Sequence, residues 1–332
     1  MEMHRNSAMF ECGIFKQLFL DFLDYKRGFG IKYDDSATYA LRVINRQLNK
    51  YNLSQPILTK PMIEELIEKR PDEAYSTQNR RITYLRQFAL FLCHKGIDAY
   101  VYPERSIRNE CSTFVPYIFC QEEISAIFKE ADNLPHLNNY PRYHMIYPVL
   151  LRMLYGCGLR ISEALSLRLS DVDLINGTLF IENSKRCKSR VVPMSTSLQQ
   201  VCSDYVKKMF PGTSGEEYFF PAPRGGKYNR GSVRVTILRI YECAGIKKLP
   251  NGLYPRVHDL RHTQAIYALE KMLAEGMDLY CSIPILSAYL GHQGIRDTEK
   301  YLRLPYFKFD EVSLVGNSLI QGMIPEVSWD EV

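Results

Sequence analysis

A chain of 332 residues with 46% hydrophobic and 24% charged residues is long enough for about two domains with real cores, and its near-average composition excludes disordered and collagen-like classes. The net charge of +5 is modest for a nucleic-acid binder, but it is uneven: 17 basic residues face 14 acidic ones over 1–117, 23 face 18 over 118–302, and 2 face 5 over 303–332. No apolar run approaches the ~18 residues of a membrane span, the start lacks a signal-peptide core, and nine scattered cysteines without a Cys-x-x-Cys pair argue against a zinc ribbon or disulfide framework and for a reducing compartment.

Residues 10 to about 100 read as helical. Phe15, Leu18, Phe19, Phe22 and Leu23 recur at helical spacing until Gly28 and Gly30 end the segment. Ser36 is a candidate cap for a second helix through Leu41, Ile44 and Leu48. Pro61 opens a short third, and Ser76 or Thr77 a fourth that Gly96 stops. Four short helices imply a small bundle. Lys26, Arg27 and Lys32 near the first turn, with Arg80, Arg81, Tyr84 and Arg86 on the fourth helix, are candidate phosphate contacts; the competing reading is a solvated helix face. Residues 103–118 lose periodicity and carry two prolines, as a linker does.

Beyond the linker a helix is expected from Gln121 and another from Tyr147 to Leu154, broken by Gly156 and Gly158, with Ser162 capping the next. Residues 178–182 and 190–193 flank a polar segment and read as a β-hairpin; helices resume after Ser195. The fold expected is mainly α with a small antiparallel sheet.

Three strings carry the chemistry. In Gly156-Cys157-Gly158-Leu159-Arg160-Ile161-Ser162-Glu163, two glycines let the backbone turn sharply and present Arg160 beside a helix start, a favourable place for a phosphate. In His258-Asp259-Leu260-Arg261-His262, His258 and Arg261 stand at i and i+3 and can point the same way. His258 and His262 also have a metal-ligand spacing, but no acidic third ligand stands nearby. Leu290-Gly291-His292 is followed nine residues on by Tyr301. An arginine fork matches phosphate oxygens, and a phenol can attack phosphorus if its proton has somewhere to go.

The order and spacing of these strings resemble the tyrosine recombinase (phage integrase) family, strongly over 118–302 and weakly over the bundle. The resemblance implies a SAM-like core-binding domain over 1–102, a linker over 103–118, a catalytic domain over 119–302, and a tail over 303–332 that docks in cis or in trans. It implies Tyr301 as nucleophile, Arg160 and Arg261 as phosphate clamps, His258 and His292 as proton-sharing or donating groups, and Glu163 as a residue orienting them. Lys185 in the hairpin loop is the implied general acid, with Lys188 as runner-up. Arg186, Lys188 and Arg190 are expected on backbone phosphates. The implied reaction is site-specific recombination through a 3′-phosphotyrosyl intermediate and a Holliday junction, without metal, ATP or cofactor, in an integrase or transposase of a mobile element. Implied partners are double-stranded DNA with paired sites, a homo-tetramer on that DNA, and accessory DNA-bending or directionality proteins. No membrane is involved, and the location is cytoplasmic and nucleoid-associated. The rival readings are a non-catalytic DNA-binding regulator, type IB topoisomerase-like relaxation, and a metal-dependent nuclease.

Overall fold

The computed structural model describes residues 10–31, 33, 35–104, 115–138, 140, 142–182, 189–212, 215–292, 294 and 298. Lys32, Lys185, Arg186, Lys188, Tyr301, most of the expected linker and the 303–332 tail lie outside the described residues. The chain divides into two compact units, Met1–Thr113 and Phe114–Val332.

In the first unit, helices α1 (Lys16–Gly28), α2 (Asp35–Leu48), α3 (Lys60–Ile67) and α4 (Tyr75–His94) bury one face each. On α4 that face is Ile82, Leu85, Phe88, Ala89 and Leu92, spaced three or four apart as a helix requires. Phe88 stacks on Phe19 and meets Phe15 and Phe22 edge-on, so the core is largely aromatic. Helix α2 opens at Asp35 and places Ser36 inside it rather than at its cap. Helix α4 starts at Tyr75, one residue before the expected Ser76.

The second unit centres on α6 (Tyr143–Gly156), which is apolar nearly all round and buries Tyr147, Leu150, Leu151 and Leu154. It packs against α5 (Gln121–Asp132), α8 (Thr196–Met209) and α10 (Asp259–Ala274). Helix α6 begins four residues earlier than expected, because it accommodates Pro148 within its length. Helices α9 (Arg230–Cys243) and α11 (Leu279–Leu290) complete the α layer, with α11 packed on α10 through Ala265, Leu269, Leu286 and Leu290.

Between α6 and the sheet lies α7, only Ile161–Ala164, with Arg160 at its N-cap; Ser162 is inside it and does not cap it. The sheet is antiparallel in the order β1 (Val172–Asp173), β2 (Thr178–Ile181), β3 (Arg190–Pro193). Its register pairs Leu179 with Val192 and Ile181 with Arg190. Leu179, Ile181 and Val192 face the core while Phe180 and Val191 face out, the period-two pattern of a sheet covered on one side.

Candidate active site

The site is organised around Glu163. Its side chain is 10% exposed and its carboxylate receives three arginines. Arg160 donates from Nη1 to Oε1 at 2.7 Å and from its backbone N–H to Oε2 at 2.9 Å. Arg190 donates through Nη1 and Nη2 to the two oxygens at 3.1 and 3.0 Å, a bidentate fork. Arg261 Nη1 lies 3.8 Å from Oε2. Burial alone would raise the Glu163 carboxyl, but the Arg190 fork, the Arg160 N–H and the charges of both arginines outweigh it and bring it down to about 2. Three cations about one anion leave a local excess of positive charge, which suits an anionic ligand.

The same arginines tie the site to the end of α11. Arg261 is 1% exposed, and it donates to the carbonyls of Gly158 at 2.7 Å and Leu290 at 2.6 Å. Arg160 Nη2 reaches the Gly291 carbonyl at 3.3 Å, and Arg190 Nε the Tyr289 carbonyl at 3.0 Å. Two glycines make these approaches possible. Gly158 has φ +57° and a Cβ there would meet Gln264 Oε1 at 2.7 Å; Gly291 has φ +65° and a Cβ there would meet Arg190 Nη1 at 2.8 Å. Only glycine satisfies both the backbone conformation and the space.

His258 stands at the N-cap of α10, one turn from Arg261. One side of the residue is open to solvent, yet desolvation by the surrounding protein and the charges of Arg261, Arg256 and Arg160 bring its pKa down to about 4, against the pull of Glu163. His262 packs its ring edge-on at 4.7 Å; desolvation first, then His258, Arg256, Arg261 and His292, lower it to about 3. Both imidazoles are therefore neutral near pH 7. Arg256 is anchored beside them by Asp259, which is 1% exposed and lies 2.9 Å from Arg256 Nη2. His292 follows Gly291 directly, and its Nδ1 lies 2.8 Å from the Thr298 hydroxyl. Among the described residues no three His, Cys, Asp or Glu side chains gather as a metal site.

The structure thus brings together Arg160, Glu163, His258, Arg261 and His292 from the loop before α7, α7 itself, α10 and the end of α11. Lys185 and Tyr301 lie outside the described residues. Arg160 stands at a helix start, the N-cap of α7; that helix is four residues long, and Glu163 accepts the Arg160 N–H.

Two of the expected DNA contacts are corrected. Arg190 is 10% exposed at the side chain and all three of its guanidinium nitrogens donate within the protein. Arg81 is 7% exposed, paired with Glu73 at 2.5 Å and bonded to the carbonyls of Leu66 and Glu68. Arg80 and Arg27 are exposed, the latter paired with Asp24. Lys26 is half-buried and donates to Gln87, Arg86 pairs with Glu104, and Tyr84 packs on Tyr33. The residues that sequence reasoning missed are Thr298, Arg256 and the inward role of Arg190. The only sequence signal for the last is Gly291, a small residue where a side chain needs room.

The sequence profile described as the phage integrase family matches residues 119–306. The tyrosine recombinase XerC of Pelobacter propionicus is 31% identical over 241 residues, 71% of this chain and 72% of that protein. XerC of Oceanobacillus iheyensis is 26% identical over 308 residues, covering 91% and 88%. Among solved structures, the XerH site-specific recombinase in a post-cleavage complex with a palindromic difH substrate matches with a TM-score of 0.61 at 17% identity, over 84% of this chain and 80% of that one. The Tn1549 transposon integrase in complex with transposon right-end DNA matches at 0.60 and 17%, over 92% and 98%. The structural likeness bears out the mainly α fold with its small antiparallel sheet, and with the profile spanning more than half of its length, the chain belongs to the tyrosine recombinase, or phage integrase, family.

Proposed function

We propose that the protein is a site-specific DNA recombinase that cuts and rejoins strands through Tyr301. The observation that carries this reading is the convergence of Arg160, Arg190 and Arg261 on one buried carboxylate beside two neutral histidines. Phosphoryl transfer demands positioning and neutralisation of charge more than covalent ingenuity. Arg160 would hold the phosphate, and the charge of Arg261, whose guanidinium is 1% exposed and donates to two carbonyls, would offset the extra negative charge of the pentacoordinate transition state from behind. The Tyr301 oxygen forms a bond to phosphorus as the bond to the 5′ oxygen breaks. The phenolic proton passes to His258, the departing 5′ oxygen takes a proton from Lys185, and His292 donates a hydrogen bond to the phosphate. The phosphotyrosyl bond keeps the energy of the broken linkage, so the reverse step rejoins a strand without ATP. Arginine charge serves where a metal ion would otherwise serve.

DNA is the partner, held by both units, with four protomers on two sites and exchange through a Holliday junction. Within this class the role proposed is integration or transposition of a mobile element. Amplification of the joined ends of an excised circle distinguishes that role from chromosome-dimer resolution.

The test of the chemistry uses the purified full chain and duplexes flanking its own gene, nicked to trap the intermediate, in EDTA. An SDS-resistant protein–DNA adduct is expected from the wild type and none from Tyr301→Phe, with DNA binding retained. Arg160→Ala should slow adduct formation by at least ~10²-fold, as loss of one anion-stabilising donor does. A fully active Tyr301→Phe protein would overturn the assignment.

A further inference from the structure

Arg190 has no part in the reaction proposed above, yet its side chain is bonded to two other segments of the site. It begins β3, where its backbone pairs with Ile181. Its fork fills one side of the Glu163 carboxylate at 3.1 and 3.0 Å, while Arg160 occupies the other through Nη1 and its backbone N–H. Its Nε donates to the Tyr289 carbonyl at 3.0 Å, two residues before Gly291, whose missing side chain leaves the space that the guanidinium fills. Three described segments therefore meet at one planar cation: the start of β3, the α7 start with Arg160, and the α11 end that precedes His292.

A phosphate contact would require that guanidinium to face solvent, and it does not. A lysine could supply the charge but not the fork: an ammonium cannot bond two carboxylate oxygens and a carbonyl in one plane. We propose that Arg190 is a positioning residue for strand transfer, locking Glu163 against Arg160 and anchoring the hairpin to the turn that carries His292. The proposal rests on the recombinase reading of the site. Its physical content is orientation: without Arg190 the Glu163 carboxylate is held from one side only and can rotate, and Arg160 moves with it.

The experiment compares the full-length wild type with Arg190→Lys, Arg190→Ala, Glu163→Gln and the Arg190→Ala/Glu163→Gln double variant on nicked duplex. It measures DNA affinity, adduct rate as a function of pH, and amide hydrogen exchange. Arg190→Lys should keep DNA affinity and melting temperature close to wild type and still lose about 10²-fold in adduct rate, the scale of a misplacement of about 1 Å. The double variant should be slower than Glu163→Gln by less than the effect of Arg190→Ala alone, because part of what Arg190 does runs through that carboxylate.

The charged and titratable groups facing Glu163 are Arg160, Arg190 from β3, and Arg261 and His258 from α10. With Arg190 gone, burial pushes the carboxyl upward, so the rate of Arg190→Ala should fall off at a higher pH than wild type. The double variant should lack that shift. Wild-type rate in Arg190→Lys, or a double variant slowed by the product of the single effects, would overturn the proposal. If the wild type forms no adduct, the recombinase reading fails, and hydrogen exchange still decides the positioning claim. Faster exchange at 160–164 and 290–292 in Arg190→Lys, with α6 unchanged, is expected; unchanged protection there contradicts it.

Discussion

The Thr298 hydroxyl lies 2.8 Å from His292 Nδ1, and Thr298 is itself 1% exposed. A buried hydroxyl in this position sets the orientation of the imidazole and so the direction of its other nitrogen. Thr298→Val keeps the volume and removes the bond. Adduct formation should slow by about 10-fold, the equivalent of roughly 1 kcal/mol for one hydrogen bond, and Thr298→Ser should restore it. DNA affinity measured alongside should stay the same; an unaltered rate in Thr298→Val would show that His292 needs no such partner.

Gly291 ties backbone conformation to the arginine network. A side chain there adopts φ +65° and presses on Arg190 Nη1 at 2.8 Å. Gly291→Ala should cost about 1–2 kcal/mol for the left-handed conformation alone. Since Arg190 must move as well, adduct formation should fall further than the melting temperature explains. Both quantities are read on the same purified variant.

Acid should destabilise the second unit in two stages. His258 and His262 have folded pKa values of about 4 and 3, below the ordinary 6.5, so the unfolded chain binds protons that the folded one refuses. Their stabilising contribution is present above pH 6.5 and is lost as pH falls from there toward 4 and 3. Glu163, held at about 2 against an ordinary 4.5, adds a second loss between those values. Melting curves across this range should show a slope below pH 6.5 that His262→Gln flattens. Melting independent of pH from 7 down to 5 would contradict it.

Neighbouring arginines on α4 should separate cleanly. Arg81 is buried against Glu73, so Arg81→Ala strands a buried carboxylate and should cost about 3–5 kcal/mol in the first unit. Arg80 is exposed. Arg80→Ala should leave stability within about 0.5 kcal/mol of wild type while weakening DNA binding and lowering its salt slope by about one. Denaturant melts and salt-dependent binding titrations distinguish the two.

The parts of the site that were legible in the sequence are local. Gly156 and Gly158 before Arg160, His258 one turn from Arg261, and Gly291 before His292 are short-range patterns whose geometry follows from a turn or a helix repeat. The four helices of the first unit and the β2–β3 hairpin were legible for the same reason. What escaped depends on pairings that no local pattern encodes. Arg190 meets Glu163 across 27 residues and Tyr289 across 99, and in sequence it is one of several basic residues in a polar stretch. Arg81 looks like its neighbour Arg80 until the chain folds and Glu73 comes within reach. Helix α7 stops after one turn, and nothing in 161–167 marks that stop in the sequence. The two-residue β1 is too short to show a period.

In the proposed reaction Tyr301 is the residue joined to DNA. Tyr289 is a poor substitute: burial pushes its phenol up, and its hydroxyl lies 3.4 Å from the Gly156 carbonyl. The most direct measurement digests the trapped adduct with nuclease and trypsin and locates the nucleotide-bearing peptide by mass spectrometry. A 3′-phosphotyrosyl nucleotide on Tyr301, formed in EDTA, is the result expected. An adduct on Tyr289, Tyr306 or any other residue, or one linked to a 5′ phosphate, would contradict the account.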